Sequence, residues 1–158
     1  MTGRSCAFRL ENARDNPVSY GADEVTTLTI EEDGWRMRAR RGTDPGAASF
    51  VVLDPGTGRW LGVIACQTAQ ADSPDPTLTG VFVTPDYRGR DWGIAVALLD
   101  SVIAWAKSHG PGLRLWVFED STPARTFYKR RGFLPTGKQR PQALVPPGGS
   151  ELELELTF

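Results

Sequence analysis

Arg88-Gly89-Arg90-Asp91-Trp92-Gly93 puts two guanidinium groups and two glycines into one short segment. The apolar run Val81-Phe82-Val83 precedes it, and Ile94 opens an apolar periodicity after it. That order predicts a buried strand, a turn and the start of a helix. The first N–H groups of a helix lack intrahelical partners and carry partial positive charge, so they attract anions. Guanidinium groups add charge and donors that match phosphate. Glycine lets a ligand approach the backbone closely. The chemistry is that of a polyphosphate-binding turn. No Gly-Lys-Ser/Thr closes it as in a Walker loop, and the glycine spacing is not the dinucleotide pattern. The bland alternative is an ordinary strand–turn–helix with surface arginines.

A second constellation is Glu119-Asp120-Ser121-Thr122-Pro123-Ala124-Arg125-Thr126-Phe127-Tyr128. A tyrosine O–H stays protonated at neutral pH and can donate to a developing anion. The carboxylates of Glu119 and Asp120 can accept a proton or cap the following helix. Against these roles stand a core aromatic, with Phe127 beside Tyr128, and polar loop residues.

The elements that must position these groups are legible to different degrees. Ser49–Leu53 and Arg59–Gln67 read as strands joined by Asp54-Pro55-Gly56-Thr57-Gly58, a hairpin signal. Thr77–Thr84 reads as a strand stopped by Pro85. Trp92–Ser108 has helical spacing and ends at His109-Gly110-Pro111-Gly112. Leu113–Phe118 is a strand and Thr122–Arg131 a short helix with Pro123 early and Gly132 as its stop. Phe133 to Gly137 leads into a Pro/Gly-rich loop over Pro141–Ser150, and Glu151–Phe158 alternates strictly as a half-buried strand. Towards the N-terminus, Phe8–Arg14 is a short helical piece. Asp15–Gly21 is a loop, and Val25–Arg40 is a helix that Gly34 weakens or splits. The order of elements predicts one domain over 1–158, of mixed α/β (α+β) class.

Both constellations together carry a family resemblance. The first resembles the Arg/Gln-x-x-Gly-x-Gly/Ala loop of the Gcn5-related N-acetyltransferase (GNAT) family, with Asp91 in place of the middle glycine. The second is similar to that family's Asn-x-x-Ala-x-x-x-Tyr-x-x-x-Gly-Phe signature, at Ala124, Tyr128, Gly132 and Phe133, with Ser121 for the asparagine. The resemblance implies a mostly antiparallel sheet flanked by helices and splayed between its two central strands. It also implies acetyl transfer from acetyl-CoA to an amine by direct attack. The implied acetyl-CoA contacts are Val81, Phe82 and Val83 along the pantetheine, then Arg88, Gly89, Arg90, Asp91, Trp92, Gly93 and Ile94 around the pyrophosphate. Ser121, Ala124, Phe127 and Tyr128 complete them. Tyr128 is the implied proton donor to the leaving thiolate, and Glu119 and Asp120 are the candidate bases. Asp91 either repels the pyrophosphate or caps the helix and competes for its N–H groups. The family's first strand is absent here or replaced by Met1–Phe8, because Arg9–Gly21 already reads as the end of the first helix and its loop. Either the recorded start is late or the sheet has lost an edge strand, and a lost edge strand exposes backbone groups and makes a homodimer an expectation.

Composition excludes several classes. Among 158 residues the net charge is −1, so no basic field argues for nucleic acid despite Arg88, Arg90 and Lys129-Arg130-Arg131. No apolar run is long enough for a membrane span and no signal peptide opens the chain, which points to a cytoplasmic protein. Cys6 and Cys66 belong to no metal-type cluster, so no metal is expected. Cys66 is either a buried thiol or part of the cleft lining. His109, the single histidine, reads as a helix C-terminal residue, which leaves a Ser-His-Asp hydrolase without its base. The acceptor falls to Asp15–Arg41 and Gly137–Ser150. There Glu31-Glu32-Asp33 either attracts a cationic amine (an aminoglycoside, polyamine or basic peptide) or is a solvated helix face. The competing function is a catalytically impaired acyl-CoA-binding or interaction module, which Asp91, Ser121 and the short N-terminus favour.

Overall fold

The structure is a computed structural model that describes residues 2–16, 27–41, 43–68, 75–142 and 148–158. Strands β1 (Ala47–Leu53) and β2 (Trp60–Gln67) form the expected antiparallel hairpin. Asp54 closes its turn by accepting from the N–H groups of Gly56 at 2.8 Å and Thr57 at 3.0 Å. Strand β3 (Thr77–Val83) pairs antiparallel with β2. Strand β4 (Gly112–Phe118) then joins β3 in parallel through two register pairs alone, Thr77 with Arg114 and Leu78 with Leu115. Strands β5 (Leu134–Gln142) and β6 (Gly149–Thr157) complete a six-stranded sheet in the order β1-β2-β3-β4-β6-β5. This is the mixed, mostly antiparallel sheet that the resemblance implied, and it splays at its centre: beyond Leu78 and Leu115 the two middle strands part.

A bulge in β3 prepares that split. Ala65 faces Gly80 and Cys66 faces Leu78, so Thr79 has no partner on β2. An extra residue bends a strand and reverses which side chains face which side. Phe82 therefore turns to the face covered by helix α1 (Thr2–Asp15), where its ring meets Phe8 edge-on at 5.1 Å. On the opposite face lies helix α3 (Ile94–Ala106), with Leu98, Leu99, Val102 and Ala106 buried. Gly62 makes room for it: a Cβ there would stand 2.9 Å from Ile94 Cγ2 and 3.0 Å from Leu98 Cδ1. Helix α4 (Thr122–Arg130) shares the same core through Tyr128. Arg131, just past it, pairs with Asp100 of α3.

Several expectations are corrected. Residues 2–8 are helical, so among the described residues no strand stands in for the first one. Among the described residues the sheet begins at Ala47. The expected helix 25–40 breaks at Thr29–Glu31, ahead of Gly34, and continues as α2 (Glu32–Arg41). Gly34 serves contact instead, since a Cβ there would lie 2.9 Å from Ile30 Cγ2. The helix expected from Trp92 starts at Ile94, because Gly93 has φ +64°. Part of the expected C-terminal loop is strand β5, with Pro141 in it. Cys66 is a core thiol at 2% exposure, which matches the buried-thiol reading. Its burial pushes the thiol up to about 11. Residues 17–21, 25–26 and 143–147 of the N-terminal and late loops lie outside the described residues, as does the side chain of Cys6.

Candidate active site

The turn after β3 carries the first constellation. Pro85–Tyr87 forms one 3-10 turn, then Arg88 to Gly93 lead into α3. Gly89 has φ +110° and Gly93 φ +64°, and a Cβ at either would meet nothing within 4 Å. The backbone is thus left-handed where only glycine is unstrained, and it borders open space. Gly93 is the helix N-cap, and no side chain makes a capping hydrogen bond. Asp91 therefore does not cap α3, and among the described residues the helix's first N–H groups have no side-chain acceptor. That is a cradle fit for a pyrophosphate. Trp92 is exposed and packs on Tyr87, ring centres 4.8 Å apart.

The two arginines stand differently. Arg90 is exposed and makes no ion pair among the described residues. Arg88 turns back to the scaffold: its Nε donates to the Val83 carbonyl at 2.8 Å, and its guanidinium pairs with Asp15 at the end of α1. The same group lies 5.5 Å from the Phe82 ring centre. Arg88 so fastens the end of β3 to α1. Thr84, buried just past the end of β3, has a hydroxyl with no hydrogen-bond partner among the described residues.

Across the split, β4 ends at Phe118 and delivers the second constellation. Glu119 is tied down twice: its N–H donates to Ser150 O at 2.9 Å and its Oε1 accepts from Ser150 N at 2.7 Å. Its carbonyl accepts from Arg125 Nη1 at 2.9 Å. Asp120 is exposed in the turn. Ser121 is the N-cap of α4 without a side-chain capping bond. Ala124 and Phe127 pack on the core. Tyr128 is 7% exposed, between Phe127 and Phe133 at 5.3 and 5.5 Å. No hydrogen bond reaches its hydroxyl among the described residues. Burial pushes its phenol above the ordinary range, so the O–H stays protonated across the physiological range.

A further polar face lies beside these residues, and no motif announced it. Arg114 on β4 pairs with Asp75 at 2.8 Å, and the buried Glu153 accepts from Thr136 Oγ1 at 2.7 Å. Arg140 pairs with Glu151 and lies over the Trp116 ring. The alternation of Glu151-Leu152-Glu153-Leu154 was a signal for one buried face. Strand β5, which pairs with β6 at the sheet edge, was hidden by its prolines. His109 sits where expected, past α3, its ring stacked on Trp105 at 3.8 Å. Glu31 and Asp33 are exposed, and Asp33 pairs with Arg36 at 3.5 Å, the solvated helix face.

A sheet split at its centre, a glycine turn at its mouth and a helix beginning bare behind it agree with the fold that the resemblance implied. The chain belongs to the acetyltransferase (GNAT) family, which it matches over residues 11–133. It is 46% identical over 54 residues to an uncharacterized N-acetyltransferase of Methanocaldococcus jannaschii, a stretch covering 34% of this chain and 23% of that protein. The chain thus spans less than a quarter of that relative's length. A GNAT-family acetyltransferase from Streptococcus pneumoniae superposes with a TM-score of 0.80 at 13% identity, over 99% of this chain and 93% of that one. The ribosomal-protein-S18-alanine N-acetyltransferase of Escherichia coli gives 0.66 at 19% identity, over 99% and 88%. A Bacillus anthracis protein described as a streptothricin acetyltransferase, solved with acetyl coenzyme A, gives 0.63 at 19%, over 76% and 67%.

Proposed function

We propose that this protein is an N-acetyltransferase that moves an acetyl group from acetyl-CoA to a primary amine of a small molecule or peptide. The observation that carries it is the split beyond Leu78 and Leu115, with the open Gly89–Gly93 turn and the uncapped start of α3 on the same strand's end. The acetyl-CoA complex of the Bacillus anthracis neighbour supports the choice of co-substrate.

Acetyl-CoA supplies the activated acetyl thioester: the amine nitrogen bonds the carbonyl carbon, the C–S bond breaks, the thiolate takes a proton from Tyr128, and the proton the amine gives up to solvent balances the one that returns to Tyr128. The parted edge of β3 offers the backbone groups of Val81 and the N–H of Val83 to the pantetheine, with Phe82 between them paired to β2 and the Val83 carbonyl held by Arg88. The N–H groups from Gly89 to Ile94, with Arg90, hold the pyrophosphate, and Trp92 borders it. Arg88 acts from behind, by keeping β3 and α1 together. Ser121, Ala124 and Phe127 shape the opposite wall. Tyr128 keeps its proton because its surroundings exclude water, and donates it to the sulfur. Of the two candidate bases, Asp120 is open to solvent, whereas Glu119 already holds the Ser150 N–H. Orientation and charge placement do most of the work in such a direct transfer.

Calorimetric titration with acetyl-CoA, with desulfo-CoA and ATP as controls, tests the reading. Micromolar binding of acetyl-CoA well ahead of ATP, followed by thiol release with an amine panel, is the expected result. Folded protein that fails to bind at millimolar ligand refutes it and leaves the interaction-module alternative.

A further inference from the structure

Trp116 is the first residue of β4 beyond its last rung with β3, and it stands on the face away from the buried Leu115 and Val117. Its partner across β6 is Glu153, and Phe118 faces Glu151. Arg140 of β5 lies opposite Glu151. Its guanidinium carbon sits 4.5 Å from the Trp116 ring centre, and its Nε donates to Glu151. The Glu151 side chain is 12% exposed, that of Arg140 49%. A cation thus lies between an aromatic face and a largely buried carboxylate, beside the split.

The neighbouring charges are committed elsewhere. Arg114 is held by Asp75 at 2.8 Å, and Glu153 has Thr136 at 2.7 Å and Lys138 at 3.8 Å. Arg140 differs: it hangs from an edge strand, its side chain is long and half in solvent, and it can leave without unpairing the sheet. What it would leave is a tryptophan face and a carboxylate, the pair of groups that holds an ammonium ion. A half-exposed ion pair and a cation–π contact are each modest, so another cation can compete for the place.

We propose that Trp116 and Glu151 form a cation subsite on the acceptor side of the split, occupied in the free protein by the Arg140 guanidinium. Acceptors that carry a second ammonium group beside the reacting amine enter by displacing it. This specificity rests on the acetyl-transfer reading above; the subsite itself is tested without turnover.

The test is calorimetric titration of the full chain with cadaverine, with pentan-1-ol as the uncharged control. Arg140→Gln is expected to tighten cadaverine binding about five- to tenfold, with no change for pentan-1-ol. Adding Trp116→Leu to Arg140→Gln is expected to abolish the gain. Unchanged or weaker binding in Arg140→Gln overturns the proposal, as does a gain that survives loss of Trp116. If circular dichroism shows Arg140→Gln unfolded, Arg140→Lys carries the same test, with about a two- to threefold gain expected from the lost planar contact. No gain there overturns it equally. Acetyl-CoA is titrated into the same samples. Tighter cadaverine binding without acetyl-CoA binding upholds the subsite and refutes the transferase. Turnover with unchanged cadaverine affinity does the reverse.

Discussion

At the scale of single residues, the site is defined by what its groups are free to do. Tyr128 is 7% exposed, and its protonated hydroxyl has no hydrogen-bond partner among the described residues. Tyr128→Phe is expected to lower kcat about a hundredfold or more, the usual yield of a positioned proton donor. Acetyl-CoA affinity, read by calorimetry, should change little. Equal losses in rate and affinity would give Tyr128 a binding or packing role. Asp91 puts an exposed negative charge in the turn and caps nothing. Asp91→Gly is expected to tighten acetyl-CoA binding severalfold at low salt, and the gain should shrink as salt screens the charge. Such residues were legible because glycine and tyrosine spacing is local. The pairing of Arg88 with Asp15 was not, since it joins positions 73 apart in the chain. Sequence spacing assigned Arg88 to the phosphate side, and the fold turns it towards α1.

At the scale of elements, close approach decides the geometry. Helix α3 can lie over β2 only because Gly62 has no side chain, with Phe82 O also 3.3 Å from the place a Cβ would take. Gly62→Ala is expected to cost about 2 kcal/mol through overpacking, seen as a Tm about 6 °C lower. A shift of α3 would also move the turn that begins it, so acetyl-CoA affinity should fall in the same variant. Strands β1 to β4 were readable from β-branched runs and turn residues. Strand β5 was not: Pro135, Gly137 and Pro141 mark a loop by every local rule. An edge strand accommodates them because one row of its N–H groups needs no partner. The N-terminal helix was read short because its periodicity is weak. The split between β3 and β4 is a matter of register, which no local pattern records.

At the scale of the whole molecule, stability should depend on alkaline pH. The Cys66 thiol is raised to about 11 in the folded chain, against an ordinary value near 8.5. Below that ordinary value both states hold the proton, and the term is constant. Above it the unfolded chain loses the proton first, so stability falls as pH rises towards 11. Between pH 7 and 10 the loss from this group is about 1–2 kcal/mol. Urea unfolding at both pH values checks it, and in Cys66→Ala the pH-dependent part of the loss should shrink by that amount.

The path of the chain and the split of the sheet coincide. Strands β1, β2 and β3 all precede residue 84, and β4, β5 and β6 all follow residue 111. Two register pairs bridge the halves, and the chain crosses between them once, through α3 and the Gly110-Pro111 turn. A break in that turn therefore divides the polypeptide along a line the sheet already has. Fragments 1–110 and 111–158 each keep their own strand pairings and present the other with a ready-made apolar face. The same architecture that opens a cleft for a ligand makes this chain a natural pair for fragment complementation.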